Sequence, residues 1–227
     1  MQTNREWLSI ADMMSGLMMV FLFIALVFMI QSDKERNAMK EIAETYTRLQ
    51  MELYEDLKEE FHDDLRAWGA ELLKNNTIRF NEPDILFSRS SSKINMKFMK
   101  ILDDFFPRYV KVITKEKYKK EIEEVRIEGH TSSIWRLSTS REEAYLKNAS
   151  LSQDRSFSVL SYVYMIPQVE TERDWLIKVL RANGLSFAKI IYDDKSEEDL
   201  TRSRRVEIRV ITKAENKIRQ ILEKANI

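Results

Sequence analysis

Val125-Arg126-Ile127-Glu128-Gly129-His130-Thr131 alternates apolar and polar side chains until a glycine ends the pattern. Such alternation is typical of a half-buried β-strand. Further along the chain, residues 148–165 carry apolar side chains at helical spacing, and residues 205–211 alternate as a second strand does. A strand, a helix and another strand in this order predict an α/β sandwich, in which helices pack on one sheet.

Weaker patterns on both sides of this segment predict the other elements of the same domain. Pro107 is expected to break or kink one helix, and Gly184 to cap the end of another. The predicted elements are one or two strands within residues 78–87, helices over 93–118 and 172–183, a short strand over 188–192 and a terminal helix over 214–225.

A long apolar segment lies near the start of the chain, where residues 13–32 contain no charged side chain. A helix of about 20 such residues is about 30 Å long, enough to cross the hydrocarbon core of a bilayer. The segment is longer than the apolar region of a signal peptide, and no small-x-small cleavage site follows it. We therefore expect a single uncleaved transmembrane helix, whose orientation the flanking charges leave open.

Asp12 lies at the head of this predicted span. A carboxylate at the centre of a membrane helix costs roughly 2.5–3.5 kcal/mol, and less near the interface, so it usually has a protein partner, a wet cavity or a proton to carry. An ordinary interfacial residue favoured by the helix dipole is the alternative. Ser9, Ser15 and Gly16 lie on the same side at helical spacing, and small residues let another helix approach closely. This face favours an Asp12 that faces protein.

The segment after the span, residues 33–76, predicts an amphipathic helical linker that ends at Asn75-Asn76. Two interpretations stay open: a helix lying on its own domain, and a parallel two-stranded stalk that joins two copies of the chain. The apolar positions recur at spacings of three or four. They are Met39, Ile42, Tyr46, Leu49, Leu53, Leu57, Phe61, Leu65, Trp68 and Leu72.

The composition excludes several classes of function. Lysine and arginine total 37, as do aspartate and glutamate, so net charge gives no argument for nucleic acid binding. No cysteine is present, and His62 and His130 lack the spacing of metal ligands. The four glycines form no phosphate-binding loop. We expect neither an enzyme, nor a cofactor, nor a metal, and the acidic residues within 193–199 indicate a solvated loop.

Three short segments together resemble the OmpA-like peptidoglycan-binding domain, over about residues 77–212. They are Gly129-His130-Thr131, Asn148-x-x-Leu151-Ser152-x-x-Arg155 and Arg204-Arg205-Val206-Glu207-Ile208. The resemblance implies that Arg155 binds a carboxylate of the peptide stem. Asn148 would cap its helix or bond the ligand backbone, and Leu151 would wall the pocket. Peptidoglycan is thus the implied ligand.

The chain departs from this family in two places. The family usually has aspartate after Gly-His-Thr, where it takes the ligand's ammonium group, and here Ser132 stands in that place. A neutral hydroxyl loses the charge pairing, which affects affinity or ligand choice. The stretch between Thr131 and Asn148 is also longer than usual, and is expected to cover the groove or to add contacts.

A lone membrane helix with a leading acid, followed by such a domain, resembles MotB-type stator subunits. Ile10-Ala11-Asp12-Met13-Met14 matches the start of that family's ion-carrying helix. Within the group, the short leading tail, Gly-His-Thr-Ser-Ser and the long insertion resemble the MotB-like subunits of Zorya anti-phage defence systems. The expected domains are a tail and span over 1–32, the linker over 33–76, the OmpA-like domain over 77–212 and a terminal helix over 213–227.

The resemblance also implies a place and partners. Two copies of the chain would sit as a homodimer inside a pentameric ring of MotA-like subunits in the bacterial inner membrane, with the N-terminus cytoplasmic and the large domain periplasmic. Asp12 would take up and release ions, driven by the proton motive force, while the domain grips the cell wall. A flagellar-type stator and a passive envelope tether are the alternatives. An ExbD- or TolR-type transducer shares the leading acid but lacks the wall-binding signatures.

Overall fold

A computed structural model of the chain describes residues 3–81, 86–88, 91–135 and 139–225. The chain divides into two compact units, Met1–Thr45 and Tyr46–Ile227. Helix α1, Thr3–Phe61, contributes its first part to one unit and its last part to the other.

In the first unit, α1 carries the expected apolar segment. The large side chains between Met13 and Ile30 are exposed. An 18-residue window there has a mean hydropathy of 2.6 and is 0% buried, so the helix is long and apolar enough to cross a membrane. This confirms the predicted N-terminal apolar helix.

In the second unit, α1 is part of the domain core. Leu53, Leu57 and Phe61 recur every four residues and are 2%, 0% and 0% exposed. This part of α1 therefore lies on its own domain, the first of the two interpretations of the linker. The predicted end at Asn75-Asn76 is wrong, because the chain leaves the helix after Phe61 and turns at Gly69 with a φ of 63°. The apolar spacing continued beyond the helix because the later side chains also pack on the core.

The second unit contains a five-stranded sheet in the order β1-β2-β5-β3-β4. Strands β3 and β4 are parallel, and the other neighbours are antiparallel. The strands are β1 Ala70–Leu72, β2 Thr77–Phe80, β3 Ile122–Gly129, β4 Leu180–Gly184 and β5 Val206–Thr212. The predicted strands at Val125–Glu128 and over 205–211 are confirmed.

The two faces of this sheet differ in polarity. Ile208 of β5 pairs with Ile78 and Ile127 on the apolar face, where all three are 0% exposed. One residue earlier, Glu207 pairs with Arg79 and Glu128 on the opposite face. Glu207 is also buried, so the alternation of β5 does not mark a half-exposed strand as predicted.

Helices pack on the apolar face of the sheet. Phe80 of β2 contacts Phe98 and Phe105, with ring centroids 5.3 and 5.4 Å apart. Beyond α1, the helices are α2 Met96–Ile113, α3 Glu116–Lys119, α4 Arg141–Met165, a 3-10 helix Pro167–Glu172, α5 Arg173–Val179, α6 Leu200–Ser203 and α7 Lys213–Ala225. The α/β sandwich and its terminal helix are thus as predicted.

Pro107 does not break its helix, because α2 runs through it to Ile113. Proline costs the helix one hydrogen bond, to the carbonyl four residues earlier. That carbonyl belongs to the exposed Asp103, where water can replace the missing donor. The buried Phe105, Phe106 and Tyr109 hold the helix on both sides of the proline.

The predicted helix over 172–183 is also wrong in its second half. The chain leaves α5 after Val179, and Leu180–Gly184 forms β4. Its sequence, Leu-Arg-Ala-Asn-Gly, has no β-branched residue, so local preference gave no sign of a strand. Pairing with β3, from Val125↔Leu180 to Gly129↔Gly184, determines its conformation. The strand predicted over 188–192 reduces to one bridge between Tyr192 and Glu198.

Candidate functional site

The loop after β3 is held by backbone hydrogen bonds on both sides. The His130 amide donates to Arg205 O (3.0 Å) and the Thr131 amide to Ser186 O (2.9 Å). The Leu185 amide donates to Gly129 O (2.9 Å). The parallel strands β3 and β4 therefore end together, and the loops that follow them lie side by side.

Helix α4 crosses the ends of these two strands at very close range. A Cβ atom on Gly129 would lie 2.3 Å from Ser152 O, and one on Gly184 would lie 2.3 Å from Gln153 N. The Ser152 hydroxyl also accepts from the Ser186 amide (2.9 Å). The two glycines bring α4 directly against the loop that follows β3.

Asn148 lies inside α4 and does not cap it, which corrects the predicted start of this helix. The helix begins at Arg141, where the Ser140 hydroxyl accepts from the Glu143 amide (3.2 Å). Ser140-x-x-Glu143 is a capping-box sequence, a local signal that marks this start of the helix. Asn148 is 3% exposed, and its Nδ2 has no hydrogen-bond partner in the described part of the chain. A buried amide donor is therefore left for a ligand or water.

Arg155 lies two turns further along the same face of α4. Its Nε donates to Ser91 O (3.0 Å), and its guanidinium lies 4.9 Å from the ring centre of Phe87. Burial and the nearby charge of Arg204 lower the pKa of Arg155 to about 10, so the side chain remains a cation at neutral pH. Among residues 86–88, 91–135 and 139–220, no carboxylate forms an ion pair with Arg155. Leu151, one turn earlier, is half-buried.

Ser132 is 6% exposed, and the next residue, Ser133, contacts a carboxylate that comes from a distant part of the chain. The Ser133 amide donates to Glu198 Oε1 (2.8 Å), and the Ser133 hydroxyl donates to Glu198 Oε2. Glu198 belongs to the acidic segment 193–199, whose composition predicts a solvated loop. No local pattern marks this residue, because the fold alone brings the two loops together.

A buried polar cluster lies on the other face of the sheet, directly after β3. His130 Nε2 lies 3.6 Å from one carboxylate oxygen each of Glu128 and Glu207. Lys189 lies 3.1 Å from Glu128, and Arg205 lies 2.6 Å from Glu207. Burial raises the pKa of each carboxyl group, but the neighbouring His130 and these cations lower it further than burial raises it.

This cluster fits a divalent cation poorly. The ligating atoms of Glu128, His130 and Glu207 lie within 4.8 Å of one another, which is close enough for a metal site. Lys189 and Arg205 already offset the two carboxylates, however, and a divalent ion would add charge to a buried, cation-rich site. We assign the cluster to joining the ends of β3 and β5.

Asp12 belongs to the first unit, and the other predicted site residues belong to the second. Its side chain is exposed along α1. One turn further along, the Ser15 hydroxyl donates to Ala11 O (2.8 Å). Asn148, Leu151, Arg155 and Ser132 all belong to the second unit, where α4 and the loop after β3 meet.

Known proteins resemble the chain at two levels. No protein-family model matches the sequence. In the fold, a MotB-like protein from Desulfovibrio vulgaris is 20% identical, with a TM-score of 0.53, over 78% of this chain and 99% of that one. The periplasmic domain of Helicobacter pylori MotB is 21% identical, over 69% of this chain and 90% of that one, with a TM-score of 0.44. The first likeness shows a MotB-like α/β domain.

In sequence, the chain is 44% identical to the Zorya protein ZorB of Escherichia coli (strain ATCC 8739). The match covers 98% of this chain and 94% of that protein. It therefore includes the apolar helix with Asp12 as well as the α/β domain with Arg155. On this similarity, the chain belongs to the ZorB family of MotB-like Zorya subunits.

Proposed function

We propose that the protein is a peptidoglycan-anchored, ion-conducting motor subunit of the bacterial inner membrane that acts in anti-phage defence. It pairs with a second copy of itself and with a surrounding pentameric ring of MotA-like subunits of the ZorA type. The N-terminus lies in the cytoplasm and the α/β domain in the periplasm. One combination of features carries this proposal: an acid at the head of an exposed apolar helix, and a buried arginine of a MotB-like domain that has no carboxylate partner among the described residues.

Wall binding follows from the chemistry of α4 and the loop beside it. Peptide stems of the wall offer carboxylates, and an arginine can bind a carboxylate through two parallel hydrogen bonds. Arg155 is held in place by Ser91 O and the Phe87 ring, so little side-chain freedom remains to be lost on binding. The free Nδ2 of Asn148 supplies a further donor, and Leu151 and Ser132 complete the pocket.

Ion transfer follows from the position of Asp12. An ionised carboxylate in the membrane requires a polar partner, and among residues 11–45 no cation forms an ion pair with Asp12. The ring supplies that partner. When Asp12 takes up a proton it becomes neutral and its hold on the ring weakens, so the ring steps to the next subunit. Two copies that alternate keep one contact engaged while the wall-bound domains prevent the pair from turning.

Two other functions use the same parts. A flagellar-type stator would share every step but serve motility, and a passive tether would need the wall contact without the ion transfer. ZorB-family membership favours defence over motility. The acid at the head of the apolar helix favours ion transfer over a passive anchor.

Phage plaquing on cells that carry the gene with its neighbouring genes tests the proposal. We expect Asp12→Asn and Arg155→Ala each to abolish protection while the protein remains in the membrane. The matched controls, Asp33→Asn on α1 and Arg141→Ala on α4, change exposed residues of the same helices and should keep protection.

Each other outcome identifies a different function. Protection that survives Asp12→Asn but not Arg155→Ala indicates a tether and removes the ion-transfer step. If protection survives Arg155→Ala, Arg155 does not anchor the protein to the wall. If the wild-type genes give no protection but support swimming, the protein is a flagellar-type stator.

A further inference from the structure

Glu198 is fixed against the loop that follows β3. Both of its carboxylate oxygens accept hydrogen bonds from Ser133, one from the amide and one from the hydroxyl. The backbone around it is fixed as well, since Tyr192 and Glu198 form a bridge and the Asp199 amide donates to Ile191 O (2.8 Å). Because both the side chain and the backbone of Glu198 are held, its carboxylate has a defined position in the site.

This carboxylate retains capacity for a ligand. Each oxygen of an ionised carboxylate has two acceptor positions, and Ser133 uses one on each oxygen. Glu198 is only partly buried, and it forms no ion pair with any residue that the structure describes. A partly buried, unpaired carboxylate attracts a cationic group from outside the protein.

The same loop has a cation on its other side. The Thr131 amide donates to Ser186 O, and the Ser186 amide donates to the Ser152 hydroxyl. Arg155 follows Ser152 by one turn of α4. Arg204 approaches Arg155 from the far end of α6, the short helix that begins two residues after Glu198. Glu198 thus contacts this loop directly and Arg155 is linked to it through Ser186 and Ser152, and neither forms an ion pair with a residue that the structure describes.

The buried face of α4 indicates that a ligand belongs between them. Asn148 and Arg155 lie two turns apart on this face, with Ser152 between them. The Nδ2 of Asn148 is buried and finds no acceptor in the described residues. A buried amide donor without a partner costs about as much as a lost hydrogen bond, unless a ligand or water accepts from it.

We propose that Glu198 binds the ammonium group of an amino acid residue whose carboxylate is bound by Arg155. Glu198 thereby supplies, from a distant loop, the negative charge that Ser132 lacks. The ligand class is a wall peptide that ends in a zwitterionic centre, with an amine and a carboxylate on one carbon. The inference rests on the proposed wall-binding function and adds the residue that selects for the amine.

Binding to synthetic stem peptides tests the inference, with the full-length protein in lipid nanodiscs. One tripeptide has diaminopimelate as its third residue, and the other has 2-aminopimelate, which keeps the carboxylate but lacks the distal amine. We expect the wild type to prefer the first peptide by about tenfold, as one charge-assisted hydrogen bond would give. Glu198→Gln keeps acceptor and donor groups for Ser133 but removes the charge. The Glu198→Gln variant should bind both peptides equally, and its affinity for the 2-aminopimelate peptide should equal that of the wild type.

Two further variants separate charge from structure. Glu197→Gln changes the exposed neighbouring acid and should keep the preference. Ser132→Asp in the Glu198→Gln background returns a carboxylate to the loop and should restore the preference. A merely structural role for Glu198 predicts that this double variant stays as weak as Glu198→Gln.

The outcomes keep the two proposals apart. If the wild type binds both peptides equally and Glu198→Gln changes nothing, the role of Glu198 is wrong while wall binding stands. If the wild type binds neither peptide nor intact peptidoglycan, wall binding itself fails. If Glu198→Gln weakens both peptides equally, Glu198 only supports the loop and the inference is overturned.

Discussion

Gly129 shows how a single residue determines the geometry of the candidate site. It ends β3, pairs with Gly184 of β4 and lets α4 pass over both strands. The atom that an added Cβ would meet is a backbone oxygen, Ser152 O, which cannot move without moving the helix. The loop with Ser132 and the helix with Arg155 are adjacent because this position has no side chain.

Replacing Gly129 by alanine should therefore destabilise the domain by about 2–3 kcal/mol, as overpacking does in other tightly packed interiors. Urea unfolding of the full chain, followed by tryptophan fluorescence, measures this change. Gly16→Ala is a chemically identical control, since an added Cβ there meets no atom within 4 Å. An unchanged unfolding midpoint for Gly129→Ala would mean that α4 moves away at little cost.

At the scale of elements, one arginine joins the end of α1 to α2. Arg108 of α2 donates to Glu60 O (2.6 Å), to Glu60 Oε1 (2.8 Å) and to Asp64 Oδ2 (2.9 Å). Its guanidinium also lies 5.0 Å from the ring centre of Phe61 and 6.0 Å from that of Trp68. The arginine thus holds the last turn of α1 at the point where the chain leaves the helix.

Truncation to Arg108→Ala should lower the free energy of unfolding by about 1–2 kcal/mol. That is more than an isolated surface ion pair contributes, because several partners share this arginine. The same urea titration measures this change in the free energy of unfolding. Hydrogen exchange at residues 57–61 should in addition become faster, because the last turn of α1 frays first. Lys111→Ala removes an exposed cation from the same helix and should have no effect. Equal effects of the two variants would contradict the role given to Arg108.

At the scale of the whole molecule, the two units differ in the surface that they expose. The first exposes a continuous apolar surface, and the second buries a polar cluster inside a domain with an aromatic core. The buried carboxylates of Glu128 and Glu207 have lowered pKa values, so their charged forms stabilise the folded domain. This stabilisation is complete above the ordinary glutamate pKa of about 4.3 and is lost as the pH falls through the lower folded values.

Acidification from about pH 5 to pH 3 should therefore lower the melting temperature of the domain. Glu207→Gln should weaken this pH dependence, and it should cost about 3 kcal/mol near neutral pH because Arg205 loses its buried partner. Thermal unfolding at a series of pH values measures both effects. Glu59→Gln, on the exposed side of α1, should change neither. A pH dependence that Glu207→Gln leaves intact would assign it to other carboxylates.

The sequence predicted the elements whose pattern is local and failed where distant contacts decide. The strands around Val125 and Val206 alternate clearly, and their predictions are confirmed. Strand β4 lacks a strand-like composition and exists because β3 pairs with it. In the candidate site, motif spacing brought Asn148, Leu151 and Arg155 onto one helix beside Ser132. It missed Glu198, and it named His130 without predicting its buried contacts with Glu128 and Glu207, because only the tertiary fold forms them.

The link between Ser133 and Glu198 has an evolutionary consequence. If either of two loops can supply the negative charge of this pocket, natural selection preserves the charge and not an acidic residue at one fixed sequence position. A relative with an acid at the position of Ser132 would then be free to lose the acid at the position of Glu198, and the reverse would hold as well. Loss of a signature residue in such a family need not mean loss of its ligand.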